Sequence, residues 1–187
     1  MTSSRSILLI SGSLRHNSTN TALLRTAQLL TLATHHAVFY QGIERLPHFN
    51  PDLDAQLIPD AVVDLRAVIR ASDAVLFCTP EYAGALPGSF KNLLEWAVGD
   101  DHSGSLYGKP VAWINVSQRG AHDAHESLRK VLGYVGAVII ESACSNIPVS
   151  RGDVGSDGLI ESTHIRTQVS STLAELMKNP RSLMEPN

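Results

Sequence analysis

The run Ile7-Leu8-Leu9-Ile10-Ser11-Gly12-Ser13-Leu14-Arg15-His16-Asn17-Ser18-Thr19-Asn20 opens wholly apolar and turns abruptly polar. An apolar run without alternation fits a strand covered on both faces, as in a parallel sheet. From about Ser18 onward, Ala22, Leu23, Ala27, Leu29 and Leu30 fall at helical spacing. Buried strand, polar turn and amphipathic helix together make the first half of a β–α–β unit.

The same alternation continues along the chain. Residues 37–40, 74–78, 111–116 and 137–140 read as further strands. Val62, Val63, Leu65, Val68 and Ile69 mark one helix. Pro87 opens another at its first turn, where a missing N–H does no harm, and Phe90, Leu93, Leu94, Trp96 and Ala97 follow it. Residues 122–135 and 163–177 read as the last two helices. Residues 42–59 read as a Pro- and His-containing loop, and 179–187 as a loose tail. This order implies an α/β fold: a five-stranded parallel sheet with right-handed crossovers and helices on both faces. No repeat or linker interrupts it, so one domain is expected over 1–187, with its core at about 6–178.

Composition narrows the function classes. The chain has 187 residues, 43% of them hydrophobic, 18% charged, and a formal net charge of −3. Those values fit a soluble globular protein with a full core. Lys and Arg form no basic face, so nucleic acid is not an expected partner. The polar start and the short run 7–10 fit neither a signal peptide nor a membrane span. A cytoplasmic protein without membrane contact is expected. In that setting the sequons Asn17-Ser18-Thr19 and Asn115-Val116-Ser117 carry no meaning. Cys78 and Cys144 lack ligand spacing and read as buried reduced thiols.

In an open α/β sheet, ligands sit beyond the carboxyl ends of the strands. Three loops leave those ends with unusual composition: residues 12–20, 80–88 and 117–121. In the first, Ser13, Ser18, Thr19 and Asn20 offer donors ahead of a helix N-terminus, and Arg15 offers charge, a setting that suits a phosphate. Simple helix capping by Ser18 or Thr19 fits the residue types equally well. Neither GxGxxG nor a Walker loop is present; Gly104-Ser105-Leu106-Tyr107-Gly108-Lys109 is one residue short and ends in Pro110. In the second loop, backbone amides could read the edge of a flat heterocycle beside Tyr82 or Leu86, or the segment could be a Pro/Gly turn in which Tyr82 only packs.

Gly12-Ser13-Leu14-Arg15-x-x-Ser18-x-Asn20, then Pro80-Glu81-Tyr82, then Pro87-Gly88-x-x-Lys91-Asn92-x-x-x-Trp96 resemble the NADPH-dependent FMN reductase family, over about residues 7–149. That family is flavodoxin-like and includes quinone, chromate and azo-dye reductases. The resemblance implies a three-layer fold with strand order 2-1-3-4-5. It implies FMN as cofactor, NADPH or NADH as co-substrate, a small-molecule electron acceptor, and a homodimer or homotetramer formed near the helix at 89–98. It places Ser13, Arg15, Ser18, Thr19 and Asn20 around the FMN phosphate. Pro80, Glu81, Tyr82 and Ala83 would border the ring, with Ser117 and Gly120 reaching it from the fourth strand. The family often carries Asn where this chain has Ala83. No catalytic side chain is nominated, because the flavin carries the reaction.

Other features carry less. His122 and His125 lack a third ligand, so no metal is expected. Asp100, Asp101 and His102 read as a solvated cluster. Arg15 and Arg119 are candidates for a nicotinamide 2′-phosphate, though surface charge explains either. Two competing readings are a flavodoxin-type electron carrier and a scaffold with a vestigial site. The carrier usually has a Thr/Gly-rich phosphate loop and a strongly acidic surface, and the hydroxyl-rich loop argues against a vestigial site.

Overall fold

The computed structural model describes residues 4–31, 35–98 and 106–178. The cluster Asp100, Asp101 and His102, the first residues of the Gly104 segment, and the tail at 179–187 lie outside the described residues.

The described residues form six strands and six α-helices. In chain order they are β1 (Ser6–Ser11), α1 (Thr19–Thr31), β2 (His36–Phe39), α2 (Pro51–Gln56), α3 (Asp60–Ala71), β3 (Ala74–Cys78) and α4 (Gly88–Val98). Then follow β4 (Pro110–Asn115), α5 (His122–Tyr134), β5 (Val138–Ile139), β6 (Ser145–Asn146) and α6 (Thr163–Met177). The sheet order is β2-β1-β3-β4-β5, and every pairing is parallel. The strand order and the helices on both faces agree with the flavodoxin-like expectation.

Successive residues of the central strands feed opposite faces, as strand geometry requires. Leu8, Ile10, Val75, Phe77, Val111 and Trp113 pack under α3, α4 and α5. Ile7, Leu9, Leu76, Cys78, Ala112 and Ile114 pack under α1 and α6. Burial on both faces explains why β1, β3 and β4 read as unbroken apolar runs. Each fully buried Leu, Ile or Phe contributes about 1.5–3 kcal/mol of transfer free energy.

Two expectations are corrected. The fifth strand is a broken edge rather than one run over 137–140. β5 pairs with β4 at Val111, the chain leaves the ladder in a 3₁₀ turn at Glu141–Ala143, and β6 rejoins β4 at Ile114 and Asn115. The turn carries Ala143 into the core under α6, where it is fully buried; core burial outweighs the lost ladder bonds at an edge. Second, the segment 42–59 is not all loop. Asn50 caps α2 by accepting the Asp52 amide at 3.0 Å, and Pro51 sits at its start. Asp54 of α2 pairs with Arg66 of α3 at 2.8 Å, and Arg66 also donates to the Trp96 carbonyl.

That segment is fastened to α4 by motif residues. Asn92 accepts the Phe49 amide at 2.8 Å and donates to the Pro47 carbonyl at 2.9 Å. The Trp96 indole N–H donates to the same carbonyl at 2.8 Å. Lys91 instead pairs with Glu95 at the surface. Both cysteines are free thiols: Cys78 is buried, Cys144 half-buried. Burial pushes the Cys144 thiol up to about 11.

Candidate active site

β1, β3 and β4 are neighbours, so the loops leaving Ser11, Cys78 and Asn115 emerge side by side. They enclose a cleft of about 550 Å³, within the usual range for a small-molecule site. Ser13, Arg15, Ser18, Thr19 and Asn20 line one end of it; Pro80, Glu81, Tyr82 and Ser117 line the other. Ala83 and Gly120 are not on its wall, and Thr79 and Gln118, not singled out from sequence, are.

The first two loops are locked together. Gly12 donates its amide to the Cys78 carbonyl at 2.9 Å. A Cβ on Gly12 would come 2.7 Å from Thr79 Cβ and 3.0 Å from Phe90 Cγ, so only glycine allows this approach. Below the loop, buried Asn20 accepts the Cys78 thiol at 3.3 Å and donates to Ser18 Oγ at 3.5 Å. Asn20 thus braces the loop from within. Ser13 Oγ accepts the Arg15 amide at 3.3 Å, shaping the turn.

Among the described residues, the Ser18 side chain accepts no backbone amide of α1. Its hydroxyl meets the Asn20 side chain, and the Ala22 amide, satisfied by the Ser18 carbonyl at 2.9 Å, is the first of the helix with a partner. Among the described residues the amides ahead of it have no hydrogen-bond partner, and Thr19 and Asn20 line the cleft, an arrangement that suits an anion at a helix N-terminus.

The second loop is a tight reversal. Tyr82 and Ala85 exchange backbone hydrogen bonds at 3.0 and 3.1 Å. Ala83 and Gly84 between them have φ of 51° and 69°, the left-handed pair of a type I′ turn. The turn places Tyr82, 45% exposed, on the cleft wall and leaves Ala83 off it. Glu81 Oε2 accepts the Ala124 amide at 3.1 Å. α5 has no cap of its own, since Ala121 at its start offers no side-chain acceptor, so Glu81 serves as its cap from another loop.

Asn115 holds the third loop at both ends. Its Oδ1 accepts the Ser117 amide at 3.0 Å, and its Nδ2 donates to the Gly120 carbonyl. Ser117 Oγ accepts the Arg119 amide at 3.1 Å. Gly120 has φ of 97° and lies beneath the His122 ring, which explains its place off the wall.

Three arginines line the cleft: Arg15, Arg119 and Arg151. Among the described residues none of them makes an ion pair, and the one carboxylate on the wall is Glu81. Arg151 was not found from sequence. It arrives because the chain beyond β6 runs beside β4: Ile147 and Val149 donate to the Asn115 and Val116 carbonyls at 2.9 and 3.0 Å. The one local signal was Ser150-x-x-Asp153, which forms a capping box.

The model of the NADPH-dependent FMN reductase family matches residues 5–151. The chain belongs to that family. A quinone reductase of Pseudomonas putida is 32% identical over 145 residues, covering 76% of this chain and 75% of the relative. An NAD(P)H-dependent FMN reductase of Pseudomonas aeruginosa is 37% identical over 131 residues, covering 69% and 70%. Among solved structures, the flavoenzyme NAD(P)H:(acceptor) oxidoreductase FerB of Paracoccus denitrificans superposes with a TM-score of 0.78 at 30% identity, over 92% of this chain and 97% of that one. For an FMN reductase family member, the loops holding the described cleft all lie within the matched span, and α6 lies beyond it.

Proposed function

We propose that the cleft holds FMN and that the chain is an NAD(P)H-dependent oxidoreductase reducing quinone-like small molecules. One observation carries the assignment: the hydroxyl-rich loop and the Tyr82 turn share one cleft in which three arginines lack a carboxylate partner. The residues fit the cofactor at both ends. A phosphate dianion suits the open amides of α1 and the Arg15 guanidinium. A flat ring suits a wall of backbone at Pro80, Glu81 and Tyr82, with Ser117 lining the same cleft.

Bound FMN supplies a ring that accepts hydride from a nicotinamide and passes electrons on to the acceptor. The protein's residues bind and orient. Ser13, Ser18 and Thr19 donate toward the phosphate, and Asn20 keeps their loop in shape. Glu81 holds the ring-edge turn against α5, so the turn keeps its distance from the phosphate loop. Ala83 supports the reversal with its backbone, and Gly120 does the same for the Ser117 loop. No side chain is assigned as acid or base.

The functional unit is one domain over about residues 6–178, working in the cytoplasm as a homo-oligomer. α4 spends most of its apolar face within its own chain, where Phe90, Leu93, Leu94 and Trp96 are fully buried. Support for self-association comes instead from Leu53, Leu57, Ile58 and Val63, exposed on and between α2 and α3. No helix among the described residues is long and apolar enough to cross a membrane.

Steady-state oxidation of NADPH by the FMN-loaded protein, with and without a benzoquinone, tests this reading. Turnover that depends on both flavin and quinone is expected. A flavin-loaded protein inert toward NADPH and NADH alike would instead be an electron carrier.

A further inference from the structure

A second cavity of about 520 Å³ opens on the far side of the phosphate loop. It shares Arg15, Asn17, Ser18, Thr19 and Arg151 with the cleft, but none of Pro80, Tyr82 or Ser117. It is therefore an extension of the phosphate end and not of the ring end. Arg25, in the second turn of α1, lines this cavity alone, and His16 joins it there. Three guanidiniums, those of Arg15, Arg25 and Arg151, thus converge on it, and none makes an ion pair among the described residues. No carboxylate is among its lining residues; Asp157 and Glu161 approach Gly155, and Asp157 is engaged by the Leu159 amide at 3.0 Å. Ala22, Val154, Gly155 and Gly158 give the cavity a wall without charge.

Positive charge beside an uncharged wall, joined to a phosphate site, suits a nucleotide. We propose that this cavity takes the phosphate-bearing adenosine half of a dinucleotide, with Arg25 as its specificity-determining contact. This rests on the FMN reading above for the cavity's relation to the phosphate site and to the ring. Two molecules carry that half. One is NADPH, through its 2′-phosphoadenosine, which NADH lacks. The other is FAD, whose adenylate would continue from the flavin phosphate.

Arg25 is exposed on α1 and touches the FMN cleft nowhere, so Arg25→Ala separates the two cavities. Adenosine 2′,5′-bisphosphate is titrated calorimetrically into apoprotein and FMN-loaded protein, for wild type, Arg25→Ala and Arg25→Lys, at low and high salt. FMN and FAD affinities are measured on the same proteins. For NADPH as the source, the bisphosphate binds the loaded wild type, Arg25→Ala weakens it at least tenfold, Arg25→Lys restores part, and FMN affinity is unchanged. The KM for NADPH then rises while that for NADH and both kcat values hold. For FAD as the source, the bisphosphate fails to bind the loaded protein, yet Arg25→Ala weakens FAD at least tenfold and FMN not at all. The proposal is overturned if Arg25→Ala changes neither ligand, or if it weakens FMN in equal measure. Apoprotein that takes up no FMN would defeat the proposed function instead, and bisphosphate binding to that apoprotein would still decide this cavity.

Discussion

Glu81, on the turn after β3, accepts the backbone amide of Ala124 in the first turn of α5 at 3.1 Å. A carboxylate beside the proposed ring edge thus acts as the missing cap of a helix whose own start carries Ala121 in a left-handed conformation, φ 47°. Glu81→Ala should therefore cost about 1 kcal/mol of stability, the usual value of a cap in a favourable dipole position. Glu81→Gln should recover part of it. Urea unfolding of the apoprotein measures both. Equal stability of all three proteins would mean the contact holds nothing.

Gly12 lets the first loop lie against Thr79. Gly12→Ala should destabilise by about 1–3 kcal/mol through overpacking, and it should weaken FMN by shifting the loop. Adding Thr79→Ala should restore part of the loss, because the clash is shared by that pair. Thermal unfolding of the two single variants and the double variant tests the coupling; strict additivity would contradict it.

Ala83 sits at φ 51° in a turn that glycine and asparagine adopt more readily. Ala83→Gly or Ala83→Asn should leave stability unchanged or raise it by up to about 1 kcal/mol, whereas Ala83→Val should lose about 1–2 kcal/mol. Denaturation midpoints of the three variants give the order. Because Ala83 lies off the cleft wall, FMN affinity should change little in Ala83→Asn.

His125 donates from Nδ1 to the Ala121 carbonyl at 2.8 Å, while its buried Nε2 has no partner among the described residues. Burial lowers its pKa below the ordinary imidazole value of 6.5; the Ala121 carbonyl and Glu81 pull upward, and His122 adds to the lowering. The Trp113 ring faces it from β4, 6.3 Å away. Below about pH 6.5 the unfolded chain takes up the proton first. Stability should then fall with pH at up to about 1.4 kcal/mol per unit until the folded imidazole titrates. Urea midpoints between pH 7.5 and 5 should decline more steeply in wild type than in His125→Gln; identical slopes would rule this out.

The central strands were legible because burial on both faces leaves only one kind of sequence, and Ile7-Leu8-Leu9-Ile10 is that kind. The broken edge was not, since the exit at Glu141–Ala143 depends on room for Ala143 under α6. α2 carried readable signals in Asn50-Pro51, which the surrounding prolines and histidines obscured. The phosphate loop was readable as residue types, but whether Ser18 capped or stood free depended on the position of Asn20. Asn92 and Trp96 announced the family while hiding their work, which is to fasten the Pro47 segment. Arg151 reaches the cleft through the path of the chain past β4, which the local capping signal at Ser150-x-x-Asp153 does not reveal.

Titration of the apoprotein with FMN and with riboflavin tests the central claim most directly, because the two ligands share the ring and differ in the phosphate. FMN should bind at least about a hundredfold more tightly than riboflavin, and Arg15→Ala should remove about tenfold or more of that difference, the range for charge-assisted hydrogen bonds. Equal affinity for the two ligands, or no FMN binding at all, would contradict a phosphate cradle at the start of α1.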